Sequence, residues 1–137
     1  MRANQVLESN KILNIEKTLE RWFKNNVSPG ELNRIDKVRN WLKNTSPKGY
    51  GEAYRVFALS DTVFINNLNQ LKLPVLYLTG SEDPNSTPLM SEQISQETPN
   101  SSSKSVNGEA HMMSYIAANK VNPIIEQFFT DITKNTE

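Results

Sequence analysis

The chain contains one histidine, His111, and an aspartate, Asp83, precedes it by 28 residues. Each follows a segment that reads as a β-strand. Pro74-Val75-Leu76-Tyr77-Leu78-Thr79-Gly80 is a short continuous apolar run closed by glycine, the pattern of a buried parallel strand. Ser103 to Val106 is a weaker strand, ended by Asn107-Gly108. Open parallel sheets carry their active groups outside the carboxyl ends of the strands, so adjacent strands place Asp83 and His111 at one sheet edge. An imidazole oriented by a carboxylate is a general base near neutral pH, the carboxylate fixing the tautomer and stabilising the imidazolium. Plainer readings stand beside this one. Asp83 in Asp83-Pro84-Asn85-Ser86 suits a tight turn, and His111 suits an ordinary loop. Glu82 is an alternative acid, although its longer side chain fits a solvated turn better.

The composition narrows the chemistry further. There is no cysteine, which removes thiolate nucleophiles, disulfides and most structural zinc sites, and one histidine is too few for most imidazole metal sites. The expectation is therefore no metal and no cofactor, with catalysis running on oxygen and one imidazole. Fifteen lysines and arginines balance fifteen aspartates and glutamates, so no net field draws in nucleic acid or an anionic membrane. No apolar run approaches the roughly 20 residues needed to cross a bilayer, and Met1-Arg2-Ala3-Asn4 opens a mixed polar segment rather than a signal peptide. A cytoplasmic protein is expected. At 137 residues, one core is the ceiling.

The elements that must position the pair divide the chain into a helical region, 1–71, and a strand-containing region, 72–137. Ile12, Ile15, Leu19, Trp22 and Phe23 recur at three and four residues and predict a helix from about Ser9 to Lys24, ended by Asn25 and Asn26. Ser28-Pro29-Gly30-Glu31 is a capping box that opens a second helix along Leu32, Ile35, Val38, Trp41 and Leu42, stopped by Ser46-Pro47-Lys48-Gly49. A third helix is expected from Gly51 to Leu59, with Ser60 or Asp61 capping a turn through Val63, Phe64 and Leu68. Thr87-Pro88 opens a helix after the first strand. Asn100-Ser101-Ser102-Ser103 is a loop or the start of the weak strand. Val121, Ile124, Ile125, Phe128, Phe129 and Ile132 make an amphipathic terminal helix, with Pro123 placed in its first turn. A helix this apolar needs a sheet or a partner beneath it.

Taken together, Leu73 to Pro84, Gly108-Glu109-Ala110-His111-Met112 and Val121 to Phe129 resemble the end of an α/β-hydrolase. Trp22-Phe23, Val38-Arg39-Asn40-Trp41-Leu42, Gly49-Tyr50 and Ala53 to Ala58 look like the helical cap of the branch that contains enol-lactonases. The resemblance implies a partial α/β fold, mostly helical with two parallel strands, with Asp83 and His111 as catalytic acid and histidine. It implies hydrolysis of an ester, lactone or related acyl or carbon-carbon bond. It leaves the substrate-binding residues unknown, since Trp22, Phe23, Trp41, Tyr50 and Phe57 are as well explained by packing between helices.

The family's nucleophile sits on a Gly-x-Ser-x-Gly elbow, and no serine here has glycine two residues before and two after. The N-terminal strands and oxyanion hole that accompany the elbow are missing with it. The expectation is a truncated chain that is inactive alone and partners either an N-terminal hydrolase half or itself, acting on a small acyl substrate if completed. The alternative is a non-catalytic binding or assembly protein derived from a hydrolase.

Overall fold

A computed structural model describes residues 2–25, 27–60 and 63–134. Two compact units divide the chain: Met1–Glu20 with Val27–Asn67, and Arg21–Asn26 with Leu68–Glu137. Arg21–Asn26, from the helical region, thus groups with the residues that carry the strands. Asn26 and Asp61, named above as a helix stop and a cap, lie outside the described residues.

The first unit is helical. Helix α1 (Arg2–Ser9) lies in the region expected to be helical, and its Ala3 and Val6 are spaced by three and both buried. Helix α2 (Ile15–Trp22) is shorter than the predicted Ser9 to Lys24 helix. Asn10 and Asn14 interrupt that segment with φ of 50° and 58°, a left-handed conformation that asparagine tolerates better than most residues. The Asn14 carbonyl then accepts from both the amide and the hydroxyl of Thr18, at 3.0 Å each, which starts α2. Leu19, Ile35, Val38 and Leu42 complete the buried apolar set.

Helix α3 (Pro29–Asn44) opens with the predicted capping box: the Ser28 amide donates to Glu31 Oε2 at 2.6 Å, and the Glu31 amide donates to Ser28 Oγ at 3.4 Å. Ser28→Ala is expected to lower the stability of this unit by about 1 kcal/mol, read as a lower denaturant midpoint with unchanged slope. Arg39 donates to Glu16 at 2.9 Å, and this hydrogen bond holds the Glu16 carboxyl below the usual carboxylate range. Helix α4 (Pro47–Ser60) begins earlier than predicted, because Pro47 stops α3 and also occupies the first position of the next helix, where its missing N–H is no loss. Gly51 permits α1 and α4 to approach closely: a Cβ there would lie 2.7 Å from Leu7 Cγ. The expected turn after Ser60 is present as a 3-10 segment, Ile65–Gln70.

The second unit contains two parallel strands, β1 (Val75–Gly80) and β2 (Ser101–Val106), in register from Val75 opposite Ser101 to Gly80 opposite Val106. The serine run is therefore the start of β2 rather than a loop. Expected to be buried throughout, β1 is buried only at Thr79 and Gly80, because a two-stranded sheet leaves Val75 to Leu78 partly uncovered. Helix α5 (Pro88–Glu97) connects the strands and is capped by Thr87, whose hydroxyl accepts from the Met90 amide at 3.2 Å. A single turn, α6 (Met113–Ile116), leads to α7 (Ala118–Lys134). Val106, Met113 and Val121 form the core, with Leu78 and Ile124 packed on it.

Because α7 begins at Ala118, Pro123 lies beyond its first turn, contrary to expectation. The proline removes the amide that would bond the Asn119 carbonyl, and Asn119 is exposed, so water is available to that carbonyl. Phe129 on α7 is exposed. Among the described residues no helix is long and apolar enough to cross a membrane.

Candidate active site

The C-terminal ends of β1 and β2 bring Asp83 and His111 together. His111 Nδ1 lies 2.8 Å from Asp83 Oδ2. Asp83 is 6% exposed, and its other oxygen, Oδ1, accepts from the amides of Asn85 at 2.7 Å and Ser86 at 3.1 Å. The two oxygens of Asp83 thus have separate partners, the turn amides on one and the imidazole on the other. Oδ1 closes the turn after β1, and this fixes Oδ2 toward the imidazole. An ionised carboxylate only accepts, so Nδ1 carries the proton and Nε2 of the neutral ring is left with the lone pair. The His111 side chain retains 35% of its accessible surface, so the ring is reachable from outside while its partner is not. Glu82 is exposed, and it is Asp83 that meets the histidine.

The backbone holding the pair is closely fitted. The Glu82 amide donates to the Glu109 carbonyl at 2.9 Å, the Ser81 amide to Val106 at 3.0 Å, and the Gly108 amide to Ser81 Oγ at 2.8 Å. Gly108 turns the chain at φ 69°. Gly80 is where the acid turn and the histidine loop touch: a Cβ at this position would lie 2.2 Å from the Glu109 carbonyl oxygen and 2.8 Å from that of Ala110. Thr79 Oγ1 donates to the Ser86 carbonyl at 2.5 Å, closing the turn from the strand side.

The segment Arg21–Asn26 contributes residues that sequence reasoning did not assign to the site. The Trp22 ring lies 6.0 Å from the His111 ring, centroid to centroid, tilted by 37°, and the Trp22 carbonyl accepts from the Met112 amide at 2.9 Å. Arg21 donates to the side-chain oxygen of Asn85 in the acid turn. Lys24 Nζ lies 3.2 Å from Glu109 Oε1. Met113 is buried in the core, as expected of a packing residue.

Parallel strands whose carboxyl ends carry an aspartate and then a histidine, joined by a connecting helix and followed by a long terminal helix, make this chain a partial α/β-hydrolase fold. Solved structures share that fold over nearly the whole chain. They include a thermophilic esterase from Thermogutta terrifontis (20% identical, TM-score 0.82, covering 95% of this chain and 47% of that one). The enol-lactonase from Burkholderia xenovorans is similar to the same degree (19% identical, TM-score 0.81, 94% and 48%), and a bromoperoxidase from Bacillus anthracis follows (18% identical, TM-score 0.75, 94% and 47%). By sequence the chain is 35% identical over 116 residues to the (E)-2-((N-methylformamido)methylene)succinate hydrolase of Acinetobacter baylyi, a match covering 83% of this chain. The chain spans 43% of that relative's length, less than half. No family model matches the chain.

Proposed function

We propose that Asp83 and His111 are the acid and the general base of a hydrolase of ester, lactone or related acyl bonds, and that they work with a serine nucleophile carried on a Gly-x-Ser-x-Gly elbow outside these 137 residues. The observation that carries the reading is the 2.8 Å contact between a buried carboxylate and a reachable imidazole at the carboxyl edge of parallel strands. In this reading His111 Nε2 takes the proton from the serine hydroxyl as its oxygen attacks the acyl carbon. Asp83 stabilises the resulting imidazolium, which gives the proton to the leaving group. Water, deprotonated by the same imidazole, then releases the acyl group from the serine.

The relative from Acinetobacter baylyi is named as a hydrolase of a substituted succinate, and its 35% identity supports a small, carboxylate-bearing acyl substrate. The alternative reading is a non-catalytic binding or assembly protein that keeps the pair by descent. The two readings separate when p-nitrophenyl acetate and butyrate hydrolysis is followed for the purified chain, alone and mixed with a polypeptide bearing the elbow. Turnover confined to the mixture supports the hydrolase, and silence in the mixture favours the binding protein.

A further inference from the structure

Glu109 stands in the loop between β2 and His111, and it is 0% exposed. A glutamate at a loop position is ordinarily solvated. Here its Oε1 meets two lysines that are far apart in sequence: Lys24 Nζ at 3.2 Å and Lys120 Nζ at 2.6 Å. Lys120 also donates to the Asn107 carbonyl at 3.4 Å, on the other side of Gly108. The second carboxylate oxygen, Oε2, is buried without a hydrogen bond from any group among the described residues. What retains this side chain inside is therefore charge on one oxygen rather than a full set of hydrogen bonds, since a buried carboxylate is tolerated only when paired.

The backbone of the same residue is fixed on the other side. The Glu109 carbonyl accepts from Glu82, directly before the acid, and rests against Gly80. Two residues later comes His111. The lysines themselves belong to elements that border the histidine: Lys24 follows Trp22, whose ring lies beside the imidazole and whose carbonyl accepts from Met112, and Lys120 lies in the first turn of α7.

We infer that Lys24, Glu109 and Lys120 form a charge clamp around a buried carboxylate that positions the histidine loop, so that Glu109 is a positioning residue for His111 although it touches no reacting atom. Its functional meaning rests on the hydrolase reading above. The geometry of the loop, however, is measurable without turnover. Because His111 is the chain's one histidine, its ring nitrogens give a single assignable pair of signals.

The experiment is 15N NMR of the His111 ring in the full chain, together with hydrogen exchange at the Met112 amide, for the wild type, Glu109→Gln, Lys120→Met and Lys120→Arg. Glutamine keeps the size of Glu109 and removes its charge. Expected are a dominant Nδ1–H tautomer in the wild type and in Lys120→Arg, and its fall to below half in Glu109→Gln and Lys120→Met. Met112 exchange should speed up at least tenfold in the latter two, with the helical circular dichroism retained. Should Glu109→Gln fail to fold, Lys120→Met decides, since the Lys120 side chain is 48% exposed and its loss leaves the core packing intact. Folded variants with unchanged tautomer and unchanged Met112 exchange overturn the clamp. A wild type lacking the Nδ1–H tautomer contradicts the hydrolase reading instead, and the clamp is then judged on Met112 exchange alone.

Discussion

If Asp83 and His111 serve the hydrolase proposed above, Asp83→Asn is expected to lower the hydrolysis rate reached with the serine elbow supplied by about 10⁴-fold while leaving the fold in place. The physical reason lies in the division of labour between the two carboxylate oxygens. An asparagine oxygen at the Oδ1 position still accepts from the Asn85 and Ser86 amides, so the turn after β1 survives. The group that replaces Oδ2 is then an NH2, which donates to His111 Nδ1 where the carboxylate accepted. The imidazole must then carry its proton on Nε2, the nitrogen that in the proposed mechanism receives the serine proton, and that role is lost without any change in shape. The check is a rate comparison at equal protein concentration, accompanied by a thermal melt. A variant that melts like the wild type but hydrolyses as fast would remove Asp83 from the mechanism.

Gly80→Ala should distort the second unit where the acid turn meets the histidine loop. The added Cβ would stand 2.2 Å from the Glu109 carbonyl oxygen and 2.6 Å from its carbonyl carbon, both backbone atoms held by neighbouring hydrogen bonds. Something must move, and overpacking of this kind costs about 1–3 kcal/mol. The cheaper movement is outward displacement of residues 109–111, which lengthens the Asp83–His111 contact. Chemical denaturation gives the energetic cost, and the His111 ring signals give the displacement. A stability within about 0.5 kcal/mol of wild type, together with unchanged ring signals, would show that the close approach is relaxed at no cost.

The acid and the histidine were legible because both carry strong local signals: an apolar run closed by glycine before Asp83, and Gly-x-x-His after the second strand. Helices α3 and α5 were equally plain, each announced by a hydroxyl cap followed by proline. Periodicity failed at Asn10 and Asn14. Ile12, Ile15 and Leu19 keep helical spacing straight through residues whose positive φ breaks the helix, and apolar spacing carries no information on backbone handedness. Glu109 was invisible for another reason. Its partners lie 85 and 11 residues away, so no window along the chain contains the pattern. Trp22 was read as a packing or pocket aromatic from its helical spacing, yet it ends α2 beside the histidine, where its ring and its carbonyl both serve the loop.

The central claim is that His111, held by Asp83, is the base of a hydrolase whose nucleophile lies outside these residues. It is tested most directly by the ratio of p-nitrophenyl butyrate hydrolysis between wild type and His111→Ala, each mixed with a polypeptide carrying the serine elbow. The account predicts no turnover by either chain alone and a loss of about 10²–10⁴-fold on substitution in the mixture. Equal turnover with and without the imidazole, or hydrolysis by the isolated chain that survives His111→Ala, would contradict it.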